Sequence, residues 1–228
     1  MMKRLVPALF ITAALCSGCG NNPPELKQIY NQINFINTPG SDTVLAEMVV
    51  YINTDDEDGS DDIISMNVIH EKSELYWTAD SDSWIERDSR GMKWSGSHHI
   101  SMPDGGLLPA GEYRVLITDK AGERDEDTIF VPLIKNVPDV RSFPEIMFAD
   151  EGTFELKSPE SGNTISFYDP AGRLLGAYRA TAGLVNIESL RDGTSVLKKY
   201  RTVTAAYYNN RIGAGIVSGP YARPENSK

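Results

Sequence analysis

Alternation of apolar and polar residues with a period of two is the sequence feature that most limits the fold of this chain. Val44, Ala46, Met48, Val50 and Ile52 place five apolar side chains on one face of an extended segment. Because successive side chains of a strand point to opposite faces, this pattern predicts a strand with one buried face. It favours an antiparallel sheet that packs one face on a core.

The pattern recurs along the first half of the chain, between turns rich in glycine and aspartate. The alternating apolar residues are Ile29, Ile33 and Phe35, then Ile64, Met66 and Val68, then Tyr113, Val115 and Ile117, and finally Ile129 and Val131. Several short strands at this spacing predict an all-β fold, with a β-sandwich over residues 26–134.

The segment Leu108–Tyr113 (LPAGEY) leads into one of these strands. It resembles the turn before a late strand of immunoglobulin-like or fibronectin-type sandwiches. In those sandwiches a tyrosine near the strand start forms a hydrogen bond back to the preceding corner. The resemblance therefore implies an immunoglobulin-like sandwich with Tyr113 at its corner, and it implies a fold only.

A second set of strands is predicted after the linker Ile134–Ser142. Alternating and β-branched segments over residues 143–221 predict a second small antiparallel β domain. Asn209 and Asn210 tolerate a positive φ and predict a tight hairpin before the last strand. Glu188–Lys199 has room for one helical turn, and the polar residues 222–228 are expected to be frayed.

The chain begins with a basic segment, an apolar segment and a small-residue segment in that order. Lys3 and Arg4 precede the apolar run Leu5–Leu15, and small residues lead from there to Cys19. As a helix, the run is about 17 Å long, too short for the ~30 Å core of a bilayer. This order is that of a secretory signal peptide, which predicts that residues 1–18 are removed.

The end of this segment, Ser17-Gly18-Cys19, resembles the lipobox of bacterial lipoproteins, although Cys16 stands where an aliphatic residue is usual. In that family the cysteine is lipidated and becomes the new N-terminus. The resemblance implies a membrane anchor at Cys19, made stable by two or more acyl chains such as palmitate, with a spacer at 19–25. Gly20 stands where aspartate marks inner-membrane retention, so the outer membrane is favoured. An ordinary secretory signal is the alternative.

Net charge limits the partners that this chain can bind, and cysteine content limits the disulfides that it can form. The net charge of −10 repels the phosphate backbone, so no nucleic acid partner is expected. Cys16 and Cys19 are the only cysteines. We therefore expect a mature chain that is stabilised by its core and not by disulfides.

The densest acidic cluster contains Asp56, Asp58, Asp61 and Asp62. Carboxylates spaced along a turn can supply several of the about six to eight oxygens that calcium takes. The register of an EF-hand fails, because Ser65 stands where that loop needs a bidentate glutamate. A solvated polar loop and a structural calcium site both remain open, and no other cofactor is expected.

Four aromatic residues lie close together in the sequence: Tyr76, Trp77, Trp84 and Trp94. Exposed on one face, they would suit stacking against sugars, as in carbohydrate-binding modules. The alternative is that the tryptophans are core residues, because an aromatic side chain can bury ~150–250 Å².

No set of residues in the sequence matches a known catalytic arrangement. The histidines are His70, His98 and His99, and no Gly-x-Ser-x-Gly elbow is present. His98 and His99 point to opposite faces of a strand and do not easily share a metal. The chain resembles uncharacterised bacterial envelope lipoproteins with sandwich modules. We expect a non-enzymatic, membrane-anchored protein with a structural role or an envelope protein partner; the alternative is a glycan-binding module built on the four aromatics.

Overall fold

The computed structural model describes residues 23–55, 62–89 and 91–224. Over these residues the chain is almost entirely β, as the sequence predicts, with fifteen strands and one α-helix. The strands are β1 Glu25–Asn37, β2 Val44–Asp55, β3 Ile63–His70, β4 Leu75–Asp80, β5 Ile85–Ser89, β6 Met92–Ser101, β7 Gly111–Asp119, β8 Arg124–Val131, β9 Glu145–Phe148, β10 Thr153–Lys157, β11 Asn163–Tyr168, β12 Leu174–Ala180, β13 Gly183–Asn186, β14 Thr202–Asn209 and β15 Ala214–Ala222. The helix α1 is Gly193–Lys199.

The described strands form three sheets. One has eight strands in the order β12-β11-β14-β15-β1-β2-β6-β5. The others are a four-stranded sheet, β4-β3-β7-β8, and a three-stranded sheet, β13-β10-β9. Each smaller sheet packs on the eight-stranded sheet and encloses a hydrophobic core with it.

The first core lies between the eight-stranded and the four-stranded sheets. It contains the apolar residues of the predicted alternation, including Phe35, Met48 and Val115. One of those positions is wrong, because Ile64 is 39% exposed and Ile63 is buried in its place. A register shift between Ile63 and Ser65 in the pairing with β7 explains the change, since one extra residue reverses which face a side chain takes.

The second core lies between the three-stranded sheet and strands β11 and β14. Phe167 is central to it, with ring centroids 5.3 Å from Tyr200 and 6.4 Å from Phe154. Val203 belongs to this core, whereas Tyr207 on the same strand belongs to the first. Because alternate residues of a strand share a face, both smaller sheets cover the same face of the eight-stranded sheet. The opposite face is uncovered, since it carries the exposed side chains of Tyr30 and Tyr208, at 46% and 49% exposure.

The corner before β7 is the one that the sequence predicts. Tyr113 is fully buried, and its hydroxyl donates a hydrogen bond to the carbonyl oxygen of Pro109 at 2.8 Å. Burial raises the pKa of Tyr113 to about 12, so the hydroxyl keeps its proton at neutral pH. The contact is the corner of an immunoglobulin-like sandwich.

Strand β1 joins the two halves of the chain. It pairs antiparallel with β2 and parallel with β15, where Phe35 lies beside Ile216. Tyr207, Ala214 and Ile216 consequently contribute to the first core from the C-terminal end of the chain. The boundaries 26–134 and 143–221 remain predictions, because one sheet runs through both.

Two details of the C-terminal half concern local backbone. The helical turn expected within Glu188–Lys199 is present as α1. The positive φ expected at Asn209 or Asn210 is wrong: Gly213 adopts it instead, at φ 67°. Glycine takes this conformation without the steric cost of a Cβ atom, so the turn is shifted toward it.

The frayed tail predicted at 222–228 begins too early. Ala222 still pairs with Thr202, and the backbone N–H of Arg223 donates to the carbonyl of Arg201 at 2.8 Å. The guanidinium of Arg223 also lies over the Tyr200 ring, 5.0 Å from its centroid.

Some of the sequence predictions lie outside the described residues: residues 225–228, the signal segment with Cys19, and Asp56, Asp58 and Asp61. In the described part, no helix is long and apolar enough to cross a membrane.

Candidate binding face

The structure does not bring the four aromatic residues of the sequence prediction together. Tyr76 is 62% exposed on the outer side of the four-stranded sheet. Trp77 points to the opposite side of the same strand, where it packs against the first core and donates its indole N–H to the carbonyl of Ser101 at 2.9 Å. Trp84 also packs against that core and donates to the carbonyl of Ala79. Trp94 alone lies on the uncovered face of the eight-stranded sheet.

Trp94 belongs to a surface cavity of about 630 Å³ on that uncovered face. The lining residues are Gln28, Tyr30, Tyr51, Arg87, Ser89, Met92 and Trp94. We refer to these seven residues as the binding face. Its volume lies within the ~300–1,000 Å³ that is usual for small-molecule sites.

Strand pairing assembles the binding face from four strands. Tyr30 on β1 lies opposite Tyr51 on β2, and Tyr51 lies opposite Gly96 on β6. Arg87 on β5 lies opposite Trp94 on β6. Cross-strand neighbours on one face lie about 4.5–5.5 Å apart, so the register places two tyrosines, a tryptophan and a guanidinium side by side.

Gly96 makes room for the ring of Tyr51. A Cβ atom on Gly96 would stand 2.9 Å from the Cδ1 atom of Tyr51 and 2.0 Å from the carbonyl oxygen of Val50. No larger residue fits without movement of the strand. The Tyr51 ring therefore packs closely against β6 at Gly96 and lines the cavity.

Two further contacts hold Tyr51 in place. The guanidinium carbon of Arg87 lies 5.3 Å from the centroid of its ring, in the range of a cation–π contact. Its hydroxyl is hydrogen-bonded to Nε2 of His98, whose ring meets the Tyr51 ring edge-on at 5.4 Å. Tyr51 is consequently buried although it lies on the outer face.

Burial and the charge of Arg87 set the protonation of this cluster. Burial, and after it the positive charge of Arg87, lowers the pKa of His98 to about 4. Burial raises the pKa of Tyr30 and of Tyr51, and Arg87 opposes both shifts. At neutral pH, His98 is thus uncharged, and the hydroxyls of Tyr30 and Tyr51 both keep their protons.

The other sequence-predicted positions do not join this site. His70 is buried in the first core region, 4.5 Å from the Tyr113 ring centroid, and His99 is exposed. Asp62 has its carboxylate 3.4 Å from the Lys120 ammonium. Over the described ranges, no three His, Cys, Asp or Glu residues are placed to hold a metal. The calcium site remains a hypothesis, because Asp62 is the one member of its set that the structure describes.

Sequence analysis missed Tyr30, Tyr51 and Arg87. A signal was present in β1, where Gln28, Tyr30, Gln32 and Asn34 occupy every second position opposite the apolar residues. Planar polar and aromatic residues on the second face of a strand indicate a surface with binding chemistry. Their assembly with Arg87 depends on pairing across β2, β6 and β5, which local periodicity does not encode.

Comparisons with known proteins identify no family. No protein-family model and no curated protein matches this chain. Among solved structures, similarity is found to dimeric latent PorU from Porphyromonas gingivalis (11% identity, TM-score 0.34, covering 92% of this chain and 21% of that one). It is also found to Tp47, the 47-kilodalton lipoprotein of Treponema pallidum (9% identity, TM-score 0.39, covering 86% and 50%). The Dpr11 IG1 structure is similar at 11% identity, with a TM-score of 0.25 and covering 87% and 98%. The chain thus spans about a fifth of PorU and half of Tp47, and these scores carry no functional assignment.

Proposed function

We propose that this chain is a lipid-anchored, non-enzymatic protein of the cell envelope that holds a glycan on the binding face. The observation that carries the proposal is the cavity itself, in which aromatic rings and hydrogen-bonding side chains lie on one uncovered sheet face. Aromatic faces pack against the apolar face of a sugar ring, and amide and hydroxyl groups can bond its hydroxyls.

A pair of exposed tyrosines tests glycan binding. Tyr30→Ala removes an aromatic ring from the binding face, whereas Tyr76→Ala removes a comparably exposed ring from the four-stranded sheet. In a titration with envelope-type oligosaccharides, we expect Tyr30→Ala to weaken binding about three- to tenfold, the size of one aromatic contact. Tyr76→Ala should bind like wild type. Equal affinities in all three proteins would contradict the assignment to this face.

The proposed anchor rests on the sequence of the signal segment. Lipidation of Cys19 would attach the mature chain to the membrane, and Gly20 favours the outer membrane. Cys19→Ser should therefore move the protein from the membrane fraction to the soluble fraction, since anchoring depends on the acyl chains. Cys16→Ser is the matched control and should stay with the membrane. A Cys19→Ser protein that remains in the membrane fraction would exclude this anchor.

A second candidate function is the docking of an envelope protein partner. The observation in its favour is an exposed apolar pair at the edge of the four-stranded sheet, Phe130 at 65% and Leu133 at 68% exposure. A photo-cross-linking residue at Phe130 should give one dominant protein adduct in cells. The same residue at Leu184, exposed on the three-stranded sheet, is the control. Absence of an adduct, or the same adducts from both sites, would argue against this candidate.

A further inference from the structure

Arg87 is the charged member of the binding face. Among the described residues that line the cavity, the other six are uncharged. No carboxylate in residues 23–55, 62–89 or 91–224 forms an ion pair with Arg87, whose guanidinium lies over the face of Tyr51. By contrast, Arg114 pairs with both Glu71 and Glu126, and Arg173 pairs with Asp169. Within the described ranges, the exposed guanidinium of Arg87 thus has an aromatic contact and no carboxylate partner.

The positive charge of Arg87 acts on the whole cavity. It lowers the pKa of His98 and opposes the upward shifts of the pKa values of Tyr30 and Tyr51. These residues lie on three different strands, so the charge of Arg87 affects the protonation of groups across the site. The protein as a whole carries a net charge of −10. An anion bound elsewhere on this surface would mostly meet repulsion.

Guanidinium geometry selects the kind of anion. Arginine presents its N–H donors as a planar fork that matches a carboxylate with two parallel hydrogen bonds. Trp94, opposite Arg87 in the register, offers an aromatic face next to this fork. A ring with an apolar face that carries a carboxylate can occupy both positions. Gln28 and Ser89 add hydrogen-bonding groups for hydroxyls on that ring.

We infer that the binding face recognises an acidic saccharide, with the sugar carboxylate on Arg87 and the sugar ring on Trp94. The inference rests on the proposed glycan-binding function and adds the charge of the ligand. It distinguishes uronic-acid-type sugars from neutral sugars of the same shape. Recognition of charge resides in Arg87, and recognition of the ring resides in the aromatic residues.

Matched acidic and neutral ligands test the inference. Trigalacturonate and its trimethyl ester share the ring and linkage but differ in charge, and a hyaluronan tetrasaccharide with its methyl ester forms a second pair. Calorimetric titration of the full Cys19→Ser chain should show about tenfold tighter binding of the acid than of the ester in at least one pair. Arg87→Gln should remove this preference, so that the acid and the ester bind the variant with equal affinity. Arg191→Gln, an exposed arginine outside the binding face, should behave like wild type.

Each other outcome overturns a separate part of the argument. Equal binding of acid and ester in both pairs would overturn the inference on charge and leave glycan binding intact. Absence of binding in both pairs would overturn the proposed function of the face as well. Inorganic phosphate that binds at the same site as tightly as the acid would show a simple anion site, which also overturns the saccharide inference. Loss of ester binding in Arg87→Gln would show that Arg87 maintains the shape of the binding face and does not select the ligand by its charge.

Discussion

Strands β1 and β2 carry different residues on their two faces. The inner face holds the fully buried Phe35, Met48 and Val50, whereas the outer face holds Tyr30 and Tyr51, which line a cavity. The two faces share one backbone and one register. On the inner face, side chains are selected for volume and for the exclusion of water. On the outer face, they combine ring faces, amides and a guanidinium. We therefore expect mutations on the two faces to separate stability from binding.

The largest expected effect is on the inner face. Phe35→Ala leaves a cavity in the first core and should lower the free energy of unfolding by about 3–5 kcal/mol. Tyr30→Ala, on the same strand but on the outer face, should change it by no more than about 0.5 kcal/mol. Urea denaturation of both variants measures this difference. Similar losses in the two proteins would mean that the faces are not energetically distinct.

At Gly96, a single substitution should reduce both stability and glycan binding. Gly96→Ala forces a methyl group against the carbonyl of Val50 and the ring of Tyr51. We expect the free energy of unfolding to fall by about 1–3 kcal/mol, and glycan binding to be lost in the same variant. Gly162→Ala is the control, since a Cβ there meets nothing within 4 Å. A Gly96→Ala protein with normal stability and binding would contradict the described packing of Tyr51.

A smaller effect is expected from pH, through His98. Its pKa is about 4 in the folded protein against 6.5 in an unfolded chain. Between these values the unfolded state binds the proton more strongly, so the free energy of unfolding falls as the pH drops from 6.5 toward 4. Above pH 6.5 both states are neutral, and this contribution is fully present.

His98→Gln removes the titrating group and keeps a polar side chain near Tyr51. At pH 7 it should cost about 1 kcal/mol or less, the value of one hydrogen bond. Below pH 6.5 the variant should lose stability less steeply than wild type in urea denaturation. His99→Asn is the control, because 82% of that side chain is exposed. Parallel pH profiles for wild type and His98→Gln would refute the linkage.

Local sequence pattern was sufficient for much of the inner face. The alternation from Val44 to Ile52 predicts its buried positions, and LPAGEY predicts the corner at Tyr113. It failed at Ile64, where a register shift that no pattern announces exchanged the two faces. The local sequence pattern also did not predict the parallel pairing of β15 with β1. Periodicity tells which residues share a face, but the choice of neighbouring strand depends on contacts distant in sequence.

On the outer face, the local sequence pattern predicted even less, because the binding face depends on which strands are neighbours. Proximity in sequence suggested that Tyr76, Trp77, Trp84 and Trp94 act together, yet adjacent residues on a strand face opposite sides, and Tyr76 and Trp77 do so. Only Trp94 lies on the binding face. Its companions come from β1, β2 and β5, whose order in the sheet had to be known first.

The most direct test of the account is an NMR titration of the isotope-labelled Cys19→Ser chain with trigalacturonate. The account predicts that backbone signals shift around Tyr30, Tyr51 and Arg87, and that the indole N–H signal of Trp94 shifts with them. Signals around Tyr76, on the four-stranded sheet, should remain in place. Shifts confined to the four-stranded or three-stranded sheet, or no shifts with either trigalacturonate or the hyaluronan tetrasaccharide, would contradict the assignment of the outer face as the site of binding.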